Sequence, residues 1–202
     1  MKIFKSLEDV GLPSNRFWEL TYHPPTKSVV VLTGPKKSEP PCMRLSIRMA
    51  DEPKYREVAV LPDNVSIKSF TLSSKLPLLF LNTWTVSKYE QYERKGILAT
   101  LGLPHHELER EPVRYMADWD ALYRYDILTR SSEVVARRGE LHAFGEYSRV
   151  WLTDLLGVSD DASALYVKAG IERDRIVDYH VCSLNLSGLL LTPITKLEAV
   201  FA

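Results

Sequence analysis

Between Trp151 and Thr195 the sequence reads as four β-strands separated only by short turns. The first is Leu152 to Val158, closed by Ser159-Asp160-Asp161. The second is Ala164 to Ala169, where Leu165, Tyr166 and Val167 favour a strand. Polar Glu172-Arg173-Asp174-Arg175 turns the chain. The third is Ile176 to Leu186, with Val177, Tyr179, Val181 and Ser183 on one face and Asp178, His180, Cys182 and Leu184 on the other. Asn185-Leu186-Ser187-Gly188 is a turn, and Leu189 to Thr192 begins the fourth. Four such strands form one antiparallel meander. A single meander cannot bury both its faces, so it requires neighbours like itself.

The same punctuation occurs twice upstream. Arg16 to His23, Ser28 to Thr33, Cys42 to Ala50 and Tyr55 to Leu61 form one set. Val65 to Leu72, Leu78 to Val86, Trp119 to Leu128 and Glu133 to Arg137 form another, interrupted by Ser87 to Asp118. In each set a short turn leads into a very apolar second strand: Val29-Val30-Val31-Leu32, Leu78-Leu79-Phe80-Leu81 and Ala164-Leu165-Tyr166-Val167. The expected architecture is all-β, with three four-stranded antiparallel meanders in one domain spanning residues 1–202. The units fall at about 16–61, 65–137 and 151–195.

Composition bounds the function classes. The chain has 202 residues, with 26 Lys plus Arg against 26 Asp plus Glu. That balance argues against a broad nucleic-acid surface or a polybasic membrane patch. No run of 18 apolar residues occurs, so no transmembrane helix is expected. Met1 to Asp9 has no apolar stretch and carries acids early, unlike an export signal, and a cytoplasmic location is expected. Cys42 and Cys182 are then expected as free, buried thiols.

Particular segments resemble β-propeller blades. Leu122-Tyr123-Arg124-Tyr125-Asp126-Ile127-Leu128-Thr129, followed by Glu133-Val134-Val135, is similar to the "LYRYDLxTGExxxL" outer hairpin of TolB-like and related propellers. Val158-Ser159-Asp160-Asp161-Ala162-Ser163-Ala164-Leu165-Tyr166-Val167 resembles their "SPDGKxLYV" inner hairpin. Asp160 stands where a proline is usual, and Ser163 where Lys or Arg is usual. Tyr179 to Gly188 resembles "lysldlxtG". The resemblance covers most of residues 16 to 195 and implies three meanders arranged as blades. It specifies an architecture, not an activity. Propellers generally have four to eight blades. Three blades imply either an open array with capped ends or two chains closing a six-bladed ring. The rival architecture is a β-sandwich of the same meanders.

The Ser87 to Asp118 insertion is where a rigid scaffold would carry function. His105, His106, Glu107 and Glu109 pose the question of a divalent metal site. The plainer reading, a solvated acidic loop, is preferred, because adjacent loop histidines rarely turn to one ion. No metal or cofactor is expected. Trp84, Tyr89, Tyr92, Tyr115 and Trp119 flank or lie in the insertion. Trp84, Tyr89, Tyr92, His105, His106 and Trp119 are the candidate binding residues, because Trp and Tyr dominate contact hot spots. The competing reading is that the aromatics pack the insertion onto its blade.

Catalytic patterns are weak. Asp118, Asp120, Asp126, Asp154, Asp160 and Asp161 offer many carboxylate pairs, and spacing selects none. Asp154, on an innermost strand, is the candidate for facing a channel, although a structural carboxylate is the commoner use of such a position. No nucleophile elbow, P-loop or dinucleotide fingerprint occurs. The expected function is a non-enzymatic protein-binding module, of immunity, inhibitor or scaffold type, that self-associates as a homodimer and binds a protein partner. The alternative is a carbohydrate-active hydrolase or lyase with a channel formed on dimerisation. A third possibility is a fragment of a larger propeller.

Overall fold

The computed structural model describes residues 17–34, 42–58, 61–89, 114–145, 147 and 149–197. Thirteen strands are found there: β1 (Phe17–His23), β2 (Ser28–Thr33), β3 (Arg44–Met49), β4 (Arg56–Glu57), β5 (Val65–Leu72), β6 (Leu78–Tyr89), β7 (Arg114–Asp126), β8 (Ser131–Arg137), β9 (His142–Ala143), β10 (Arg149–Val158), β11 (Ala164–Arg173), β12 (Ile176–Asn185) and β13 (Leu190–Leu197). The helical element among the described residues is the single 3-10 turn Pro24–Thr26. The strands form three sheets, ordered β1-β2-β3-β4, β5-β6-β7-β8 and β10-β11-β12-β13-β9. Each is a meander of four consecutive antiparallel strands, and the third gains a fifth strand.

Turn chemistry fixes the hairpins locally. The Asp126 carboxylate accepts the backbone N–H groups of Leu128 (2.8 Å) and Thr129 (2.9 Å) between β7 and β8. Asp161 accepts the Ser163 N–H at 3.0 Å and the hydroxyls of Ser159 and Ser163 at 2.8 Å between β10 and β11. Asn185 accepts from the Ser187 and Gly188 N–H groups between β12 and β13. Asp and Asn suit these places because their short side chains satisfy turn donors two or three residues on.

The sheets pack face to face in chain order, as blades do. Strand alternation sends Val30 and Leu32 of β2 toward the second sheet, where they bury with Leu79, Leu81 and Ile67. Phe80, Trp119 and Leu122 leave the other face of the second sheet and bury with Leu152, Leu165, Val167 and Ile171 of the third. Polar groups pin the stack. Asn82, fully buried, accepts the Trp119 indole N–H at 2.9 Å and donates to the Thr153 carbonyl at 3.2 Å. The Leu155 N–H donates to Ser69 Oγ at 3.0 Å, tying β10 to β5.

The turns touch in series as well. His23 Nε2 lies 2.8 Å from the Ser73 carbonyl oxygen. That oxygen can only accept, so Nε2 carries the proton. Lys75 pairs with Asp160 in the next turn. On the outer edge, Arg130 between β7 and β8 reaches Glu52 between β3 and β4 at 2.5 Å.

Several boundaries differ from the sequence expectation: β10 starts at Arg149, β11 runs on from Ala169 to Arg173, and β7 ends at Asp126. The insertion does not begin at Ser87, because β6 and β7 continue as a paired ribbon, with Ser87 opposite Met116 and Tyr89 opposite Arg114. Polar Arg114 and Asp118 obscured that extension. The fourth strand of the first unit, expected over Tyr55 to Leu61, is reduced to Arg56–Glu57. Pro53 and Pro62 bound that stretch, and proline cannot donate to a ladder. The two-residue β9 runs parallel to β13, with His142 opposite Leu190. It is too short to show any periodicity.

Candidate functional site

The third sheet has one covered face and one open face. Leu165, Val167, Ala169 and Ile171 of β11 point into the core. The alternate residues Tyr166, Lys168, Gly170 and Glu172 therefore share the opposite face. Register adds Tyr179 opposite Gly170, Val181 opposite Lys168 and Val177 opposite Glu172. From β10 it adds Trp151, opposite Gly170, and Arg149, opposite Glu172.

Glycine makes the centre of this face. A Cβ on Gly170 would lie 2.5 Å from Cε2 and Cζ2 of Trp151. The indole thus lies directly against the backbone, in space that any side chain would fill. Tyr179 meets Trp151 edge-on, with ring centroids 6.5 Å apart and planes at 90°. The Arg149 guanidinium sits 5.5 Å from the Trp151 ring centre and the Lys168 ammonium 5.8 Å from that of Tyr179. Each such contact contributes roughly 0.5–1 kcal/mol at an exposed site. Arg149 is further held by Asp118, which also binds Arg138 at 2.5 Å. The result is an ordered aromatic surface with cations fixed beside it.

Its exposure is the unusual feature. Tyr166 is 43% exposed and Tyr179 40%. In the second sheet, Phe80 holds the place of Tyr166 and is fully buried, while Trp119 holds the place of Tyr179 and is 1% exposed. The positions that seal the second sheet against the third are open on the third.

A second concavity, a cleft of about 380 Å³, lies between the outer hairpins of the first and second sheets, among Met49, Glu52, Arg56, Tyr125 and Arg130. The Glu52 carboxylate is shared by Arg56 at 3.1 Å and Arg130 at 2.5 Å. Burial pushes the Tyr125 phenol pKa up. A carboxylate neutralised by two guanidiniums and a phenol held protonated form a structural clasp.

The candidate binding residues separate in space. Trp119 is core, bonded to Asn82. Trp84 stands opposite it in the ladder, half-buried against the same core. Its indole N–H is buried without a hydrogen-bond partner. Tyr89 is the last residue of β6. Tyr92, His105 and His106, with Glu107 and Glu109, lie outside the described residues. Among the described residues no three His, Cys, Asp or Glu side chains converge as metal ligands. Asp154 is half-buried on β10 opposite Lys168. The residues that sequence reasoning missed are Trp151, Tyr166 and Tyr179. Their alternation was visible, but not which face stays open.

Fold and face together define an all-β, blade-type scaffold with an uncovered aromatic end. No protein-family model matches the chain, and no curated protein is similar to it. Among the described residues no helix is long and apolar enough to cross a membrane.

Proposed function

We propose that this chain is a non-enzymatic protein-binding module that works through the outer face of its third sheet. The observation that carries the reading is the pre-ordered set of exposed Tyr166 and Tyr179 around half-buried Trp151, flanked by Arg149 and Lys168. Aromatic residues and arginine are what protein interfaces concentrate, and rigid rings lose little entropy on contact. The propeller resemblance supports the same reading, since each blade face of that architecture is normally covered by another sheet. Free, buried Cys42 and Cys182 fit a reducing compartment such as the cytoplasm.

The test is site-specific photo-crosslinking from a benzophenone amino acid placed at 166 or 179. The control position is Leu128, an exposed residue of the outer hairpin between β7 and β8. Protein adducts at 166 and 179 that are absent at 128 are expected. Equal labelling at all three positions refutes the reading. Adducts to carbohydrate alone would instead favour the carbohydrate-active alternative.

A further inference from the structure

One rule of register stacks the sheets. In the second strand of each, the residues one and three places after its start face backwards along the stack. Those two and four places after face forwards. Leu79 and Leu81 of β6 thus bury against the first sheet, and Leu165 and Val167 of β11 against the second. The innermost strand obeys the same rule. Phe70, opposite Leu81, and Leu155, opposite Val167, are each 7% exposed, because a preceding sheet covers them.

Leu20, opposite Val31, holds that place in the first sheet and is 63% exposed. Tyr22, two residues on, is exposed with it. Val31 itself is already buried beside Val29 and Tyr55. The uncovered part of this backward face is therefore its innermost strand. Among the described residues, the stack thus presents two open halves of the interface that it builds twice internally.

Resting on the reading of the third sheet as a protein-binding face, we infer that the protein it takes is a second copy of this chain, docked through its first sheet. Tyr166 and Tyr179 of one copy cover Leu20 and Tyr22 of the other. Contact between unlike faces is heterologous, and it forms a closed ring when the rotation closes. A two-fold axis joins two sets of three sheets into six, within the usual range of four to eight. The turns at the open ends carry opposite charge, with Asp161 exposed on the third sheet and Lys27 exposed on the first.

The test is light scattering after size exclusion, over a wide concentration range, on the full chain and on Leu20→Glu and Tyr166→Lys. The wild type is expected at twice 23.1 kDa, and each variant at the monomer mass. An equal mixture of the two variants should regain dimer, because one of its two interfaces then pairs intact faces. Circular dichroism checks the fold, and Leu20→Gln and Tyr166→Gln replace any charged variant that fails to fold. A wild-type monomer at every concentration overturns the inference. So does a dimer that survives both substitutions. If Leu20→Glu stays dimeric while Tyr166→Lys dissociates, third sheets pair with each other, and the inference fails while the binding face stands. A monomer whose position 166 still crosslinks to a different protein has the same meaning.

Discussion

Replacing Asn82 with leucine tests what holds the second and third sheets in register. Asn82 is fully buried, and its amide serves both sheets. Its oxygen accepts the Trp119 indole N–H at 2.9 Å, and its nitrogen donates to the Thr153 carbonyl at 3.2 Å. Leucine keeps the approximate volume and removes both bonds. A buried donor left without a partner costs about 1–3 kcal/mol, and the carbonyl loses a smaller amount because it has a second lone pair. The expected destabilisation is about 2–4 kcal/mol, a large share of the roughly 5–15 kcal/mol typical of a folded domain. Urea unfolding followed by circular dichroism measures it, with Trp119→Phe and the double variant completing the cycle. In the double variant neither the indole N–H nor the amide remains, so the two costs should fall short of additivity by about 1–2 kcal/mol. A cost for Asn82→Leu below about 0.5 kcal/mol would refute the reasoning, as would costs that add within about 0.5 kcal/mol.

Three further predictions concern other parts of the molecule. Gly170→Ala places a methyl 2.5 Å from the Trp151 ring. It should cost about 1–3 kcal/mol and displace the indole, read as lost stability together with a changed Trp151 fluorescence; unchanged values would mean that the ring does not lie against the backbone. Hydrogen bonds from the Ser163 N–H and the Ser159 and Ser163 hydroxyls hold the Asp161 carboxyl pKa down to about 2, from 3.8. Its contribution to stability is thus full above pH 3.8 and is lost as the pH falls toward 2. A carboxyl NMR titration with its midpoint near 4 would contradict the turn. Burial pushes the Cys182 thiol up to about 11, so Ellman's reagent at pH 8 should leave Cys182 unmodified in the native protein and modify it in urea; rapid native labelling would contradict the burial.

Much of the fold was legible because its determinants are local. Alternation in β3 and β5, the apolar runs of β2, β6 and β11, and the Asp161 and Asn185 turns each act within a few residues. They specify three meanders without reference to one another. What the sequence could not express was the partner of each face. Trp119 and Tyr179 occupy equivalent places in β7 and β12, both aromatic and both flanked by polar residues. The first is sealed in the core and the second is open, because the third sheet stacks on the second and, among the described residues, no sheet stacks on the third. Trp119 was accordingly a reasonable candidate for a contact residue, and Tyr179 an unremarked one. Strand periodicity records that a side chain leaves one face of a sheet. Only the tertiary stack determines whether that face meets another sheet or an open surface, because burial is a property of neighbours brought from far along the chain.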